Sequence, residues 1–234
     1  MSIAENVQQV RERIRLAASS AGRDPDTISL MGVSKTFPPE AIREAYEAGI
    51  RVFGENRVQE FAAKADALRD LGDARWHLIG HLQSNKAVKA ADLFHAVDSV
   101  DSVKLAQKLN DAAHVGGKML RVLIEINVGG EAAKSGIAPG SAELDRLLAE
   151  APQLVNLDFR GLMTVPPYTE DPQGARPYFQ RLRKLRDEVA GRSLPRISMD
   201  ELSMGMSHDF EVAIEEGSTC VRVGTAIFGG RAKP

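Results

Sequence analysis

At 234 residues, with 43% hydrophobic and 26% charged residues, the chain has the composition of a folded globular protein and is long enough for one large domain. A formal net charge of −2 gives no electrostatic footing for nucleic acid or an anionic membrane, and the single Cys220 excludes an intrachain disulfide and a cysteine-rich metal site. No apolar run approaches the ~18 residues of a membrane span, and the N-terminus lacks a basic segment followed by an apolar core, so a soluble cytoplasmic protein is expected.

Ser2 and Glu5 have the spacing of a capping box, and Val7, Val10, Ile14 and Ala17 share one helical face. Residues 1–22 are therefore predicted as an N-terminal helix. After the Asp24-Pro25-Asp26 turn comes the first strand, residues 28–35, whose apolar run ends in Lys35. Pro38 and Pro39 then open a helix through Ile42, Ala45 and Tyr46. The unit repeats. Strands are predicted at 51–56, 76–81, 94–98, 119–127, 157–165, 201–207 and 220–228, with helical patterns between them. A loop after the fifth strand holds Gly129, Gly130, Lys134, Ser135 and Gly136 before Ser141 caps the next helix. The long helix after Asp171-Pro172 buries Phe179, Leu182, Leu185 and Val189, and the helix from Phe210 follows Ser207 closely enough for that residue to be its N-cap.

About eight strand-helix alternations with short connections and no linker predict a parallel sheet with right-handed crossovers. Eight strands close a (β/α)8 TIM barrel, the expected fold, as one domain over 1–234 with residues 1–22 packed on it. An open doubly wound sheet has the same alternation. In a closed barrel, polar residues at strand exits converge on one rim: Lys35, Asn56, His81, Asp98, Ser99, Asn127, Thr164, Ser207, Gly224 and Thr225.

A lysine at a strand end is either solvated or chemical. The loops after the seventh and eighth strands of such barrels commonly cradle a phosphate, and Met204-Gly-Met-Ser207 and Val223-Gly-Thr225 supply glycines and hydroxyls there. Alternatively Gly205 and Gly224 relieve crowding inside the barrel. Strand alternation puts Cys220, Arg222 and Gly224 on the inner face, where Arg222 needs an acceptor: a ligand atom, or Glu125 or Glu201 in an internal ion pair. A Schiff-base lysine, a phosphate cradle and an inward arginine on one rim fit pyridoxal 5′-phosphate (PLP).

The motifs Val33-Ser-Lys-Thr36, Phe53-Gly-Glu-Asn56, His77-Leu-Ile-Gly-His-Leu-Gln83, Gly161-Leu-Met163, Leu202-Ser-Met-Gly-Met-Ser207 and Val221-Arg-Val-Gly-Thr225 resemble, in order and over nearly the whole chain, the pyridoxal phosphate homeostasis protein family. The resemblance implies a barrel similar to the N-terminal domain of alanine racemase, with PLP held as a Schiff base on Lys35. It also implies phosphate contacts at Ser207, Gly224 and Thr225, and Arg222 near the pyridine nitrogen. Lys134 matches a family lysine connected with cofactor handling. Rim and resemblance together make Lys35, Asn56, His81, Met206, Ser207, Arg222, Gly224 and Thr225 the candidate cofactor contacts, with Lys134 secondary.

An arginine at the ring nitrogen weakens the cofactor as an electron sink, so a carrier or buffer of PLP is expected, with PLP-requiring apoenzymes as recipients. A small amino-acid racemase using Lys35 as base is the alternative, and a cofactor-free Schiff-base aldolase a third reading. A racemase would need a second proton carrier; only Tyr168 among the three tyrosines falls in a rim loop, and no second domain is expected. His77 and His81, four apart, would share a strand face and make a metal pair conceivable, although no ligand set is completed. His208 is expected either to assist the phosphate or to sit exposed at a helix start. The lack of a long apolar surface stripe leans towards a monomer.

Overall fold

The computed structural model of the chain describes residues 1–131 and 134–230; Ala133 of the Lys134 motif lies outside them. Helix α1 (Ile3–Ser20) starts at Ser2, whose hydroxyl accepts from the Glu5 amide while the Glu5 carboxylate accepts from the Ser2 amide, so two orphan N–H groups are satisfied reciprocally. Ser2→Ala is expected to lower the melting midpoint by roughly 2–4 °C, read by circular dichroism. The buried stripe Val7, Val10, Ile14, Ala17 and Ala18 lies against the outside of the barrel, where Asn6 Nδ2 donates to the Ile227 carbonyl at 2.9 Å. Arg23 donates to the carbonyls of Ile214 (2.7 Å) and Ser218 (2.8 Å), fastening the end of this helical segment to the same seam.

Eight strands, β1 (Ser29–Val33), β2 (Val52–Glu55), β3 (Arg75–Leu78), β4 (Ala96–Val100), β5 (Leu120–Glu125), β6 (Leu157–Met163), β7 (Ile197–Met206) and β8 (Cys220–Val223), pair in parallel in sequence order. The β1–β8 register, from Ser29↔Cys220 to Gly32↔Val223, closes the barrel and excludes the open sheet. Between them run α2 (Pro39–Glu47), α3 (Val58–Ala62), α4 (Ala87–Leu93), α5 (Val103–Val115), α6 (Ala142–Glu150), α7 (Arg176–Gly191) and α8 (Phe210–Glu215). The main apolar core lies between strands and helices: Phe53 stacks on Trp76 at 5.0 Å between ring centroids, and Phe61 bridges Trp76 (4.7 Å) to Phe94 (5.0 Å). Among the described residues no helix is long and apolar enough to cross a membrane.

Three sequence expectations need correction. The eighth strand ends at Val223, not 228, because Thr225–Phe228 forms a short helix, α9, that stacks Phe228 on Phe37 at 4.8 Å. Ser207, read from sequence as a phosphate contact or else as an N-cap, does not cap α8. Asp209 is the N-cap residue there, its carboxylate accepting from the Met206 amide at 2.7 Å, and the Ser207 hydroxyl instead accepts from Gly224 (3.2 Å) and Ala226 (3.4 Å). Asp98 sits within β4, below the rim, as the buried partner of His77.

Candidate functional site

Lys35 follows β1 in a tight turn. The Phe37 amide donates to the Ser34 carbonyl (3.2 Å), and the Ser34 amide donates to Gly54 (3.0 Å), carrying the β1–β2 ladder one residue past the strand. Thr36 occupies the second central position with φ +66°, a place that turns of this kind give to glycine. A β-branched residue held there is strained, and the strain sits next to the lysine.

The half-buried Lys35 lines a cavity of about 370 Å³ at the carboxyl ends of the strands, with Val33, Asn56, Ile79, Val165, Met206, Ser207, His208, Arg222, Gly224 and Thr225. Seven of the eight candidate cofactor contacts therefore meet: Lys35, Asn56, Met206, Ser207, Arg222, Gly224 and Thr225. His81 lies outside. It is exposed beyond the end of β3, with Nδ1 2.9 Å from the Asp101 carboxylate.

Arg222 is 3% exposed and points into the barrel as alternation predicts. It does not reach Glu125 or Glu201 as an ion pair: its guanidinium donates to the Ser203 hydroxyl at 2.8 Å and to the Thr164 carbonyl at 2.6 Å. Glu201 is held by Arg121 instead. Two of the five guanidinium donors are thus spent on fixing the group, at a point where it lines the cavity.

The two glycines of the cradle separate on steric grounds. Gly205 has φ +93°, and a Cβ there would lie 2.6 Å from Ala213 Cβ and 2.9 Å from Phe210 Cα, so this glycine is required by packing. A Cβ at Gly224 would meet nothing closer than Val33 Cβ at 3.5 Å, an ordinary contact. The protein's own atoms do not demand glycine at 224; a side chain there would take up cavity space. The residues fit PLP in kind: an amine for the aldehyde, a guanidinium for the ring, and the Ser207 and Thr225 hydroxyls as donors for the phosphate.

Other candidates fall elsewhere. Lys134 pairs with Glu131 at 3.0 Å and lies 3.4 Å from the Pro166 carbonyl, between the exits of β5 and β6 and off the cavity lining. Tyr168 is 78% exposed, its ring 5.5 Å from that of His208. His208 Nε2 is 3.1 Å from the carbonyls of both Thr169 and Glu170, which can only accept, so that nitrogen carries the proton. Asn127 shapes its loop, donating to Glu131 and accepting from Gly130. Ser99 is buried and donates to the Gly80 carbonyl at 2.8 Å. His77 and His81 hold different carboxylates, and among the described residues no three His, Cys, Asp or Glu side chains are placed for a metal.

Two cavity residues escaped the sequence reading. Ile79 and Val165 are apolar walls; alternation from His77 marks Ile79 as inward. Glu125, at the end of β5, is 7% exposed, and burial, with the nearby negative charge of Asp101, pushes its carboxyl up to about 7 against the pull of Arg222 and His81. The sequence offers Glu125 as a possible partner of Arg222 inside the barrel; it is inside, but the two form no ion pair. Burial pushes the Cys220 thiol up to about 12, which leaves it protonated and unreactive.

The closed barrel with a lysine at its rim cavity is of the alanine racemase type, and the model of the alanine racemase N-terminal domain matches residues 3–232. The chain is 48% identical over 231 residues to the pyridoxal phosphate homeostasis protein of Aquifex aeolicus, covering 99% of both chains, and 47% identical over 230 residues to that of Pseudomonas aeruginosa, covering 98% of this chain and 96% of the relative. The chain belongs to the pyridoxal phosphate homeostasis protein family. Among solved structures, PipY of Synechococcus elongatus with PLP bound superposes with a TM-score of 0.84 at 39% identity, over 97% of this chain and all of that one.

Proposed function

We propose that this protein holds PLP on Lys35 and buffers or delivers it within the cell, without strong catalysis of its own. The observation that carries this is the convergence of Lys35, Arg222, Ser207, Gly224 and Thr225 on one cavity. Lys35 would hold the aldehyde carbon through its amine, reversibly and with loss of water, while Arg222 would face the ring and Ser207 and Thr225 the phosphate. Arg222, fixed by Ser203 and Thr164, presents donors that favour an unprotonated ring nitrogen, the state that draws electrons from a substrate least. Bound PLP supplies a reactive carbonyl, and the surrounding residues hold it with little means of driving proton abstraction. PLP-requiring apoenzymes and free amines are the recipients that fit such a carrier.

The racemase reading asks for a second proton carrier facing the cavity, and Tyr168 lies out on the surface against His208. Exchange of the α-hydrogen of an amino-acid panel in D2O, followed by NMR, separates the two: no exchange is expected, and steady exchange would establish an enzyme.

The phosphate grip is tested by titrating pyridoxal, which has the aldehyde but no phosphate, beside PLP. Two charge-assisted hydrogen bonds from the Ser207 and Thr225 hydroxyls are worth enough that pyridoxal is expected to bind roughly 10²-fold more weakly. Equal affinities would remove Ser207 and Thr225 from the binding account.

A further inference from the structure

Lys64 is only 9% exposed and Glu55 not at all, in a part of the barrel wall where apolar residues would pack without cost. Lys64 Nζ lies 2.7 Å from Glu55 Oε1, 3.0 Å from the Ser34 carbonyl and 3.4 Å from the Phe37 carbonyl. Those two carbonyls flank the Lys35-Thr36 turn on either side. The Ser34 hydroxyl donates to the same Glu55 oxygen at 2.5 Å, so the residue just before Lys35 is gripped twice. An ammonium has three donors, and here each has one acceptor; a planar guanidinium would not satisfy the same three directions.

The turn so gripped is the one that holds Thr36 at φ +66°. Without the grip, Thr36 can relax out of the left-handed region, and the peptide it shares with Lys35 rotates with it. We propose that Lys64 and Glu55 are positioning residues for Lys35: they hold the strained turn and thereby set the reach of the Lys35 amine toward a bound aldehyde. The inference rests on the proposed PLP-holding function. It adds a reason for a buried ion pair that contributes no atom to the cavity lining.

The test separates the reach of Lys35 from the grip of the pocket. Pyridoxine 5′-phosphate has the ring and phosphate of PLP but an alcohol in place of the aldehyde, so it reports the pocket alone. The variant Lys64→Met/Glu55→Gln removes both charges together, keeps similar volumes and retains an acceptor for the Ser34 hydroxyl. In this variant, calorimetric titration is expected to give wild-type affinity for pyridoxine 5′-phosphate. The equilibrium for borohydride-fixable attachment of PLP is expected to fall roughly tenfold or more, as displaced reactive groups do. Lys64→Arg keeps the charge beside Glu55 and remains folded should the double variant not; it is expected to show the same divergence between the two ligands. Unchanged attachment would overturn the inference, as would a parallel loss for both ligands, the mark of a merely structural pair. Wild-type protein that takes up no PLP would instead bring down the proposed function, and this inference with it.

Discussion

Gly161→Ala is expected to cost about 3 kcal/mol or more and to leave little folded protein. A Cβ on residue 161 would lie 2.0 Å from the Glu201 carbonyl oxygen, 2.7 Å from its carbon and 3.0 Å from its Cα, all of them backbone atoms with no rotamer to escape into. Gly161 pairs with Glu201 where the β6–β7 register shifts, so relief of the clash means parting two strands of a closed ring. The damage reaches the site as well, since Thr164, three residues further on, supplies the carbonyl that fixes Arg222. Urea unfolding followed by tryptophan fluorescence measures the effect, and a midpoint equal to that of the wild type would show that the strands part without penalty.

The second large effect is a dependence on pH that one carboxyl creates. Glu125 has an unfolded-state value of 4.5 and a folded value of about 7, raised first by burial and then by Asp101. The native state therefore keeps the proton to higher pH than the unfolded chain does. The stability tied to that proton is complete below 4.5 and is lost as the pH rises through about 7. A displacement of that size corresponds to about 3 kcal/mol when the carboxyl is ionised. Glutamine imitates the protonated acid and cannot ionise. Glu125→Gln and wild type are thus expected to have similar urea midpoints at about pH 5 and to diverge by about pH 8, with the variant the more stable. A difference that is constant across this range would show that Glu125 titrates normally.

The barrel and the centre of the site were legible because they follow from short-range periodicity. Alternation along 220–224 places Arg222 inward, and the break from apolar residues to Lys35 marks a strand exit; both readings need only neighbouring residues. The eighth strand was overrun because Thr225-Ala-Ile-Phe228 is apolar and partly β-branched, and four residues carry too little period to tell a strand from a helical turn. The alternative reading of Ser207 as an N-cap failed for a different reason. Its position before α8 is a local signal, whereas the amides it serves, Gly224 and Ala226, arrive from the next strand and become neighbours only when the barrel closes. The acceptors of Arg222 were hidden in the same way, one of them a backbone carbonyl that no sequence pattern marks. Lys64 was the least legible of all. In an alanine-rich helical run it reads as a solvated lysine, and its buried environment is assembled from Ser34, Phe37 and Glu55.

The two histidines of the third strand show where spacing misleads. Alternation holds through His77 but not to His81, because β3 ends at Leu78 and the chain then turns. Once in space, His77 faces Asp98 inside the barrel and His81 faces Asp101 at the surface, two separate pairs in place of one shared face.

The placement of one amine against one pocket is tested most directly by reducing wild-type protein with borohydride after mixing it with equimolar PLP, and mapping the added phosphopyridoxyl mass by peptide mass spectrometry. The mass is expected on the peptide that carries Lys35. Its appearance on Lys134 or another lysine, or unmodified protein throughout, would contradict the assignment of the barrel rim as the site that holds the cofactor.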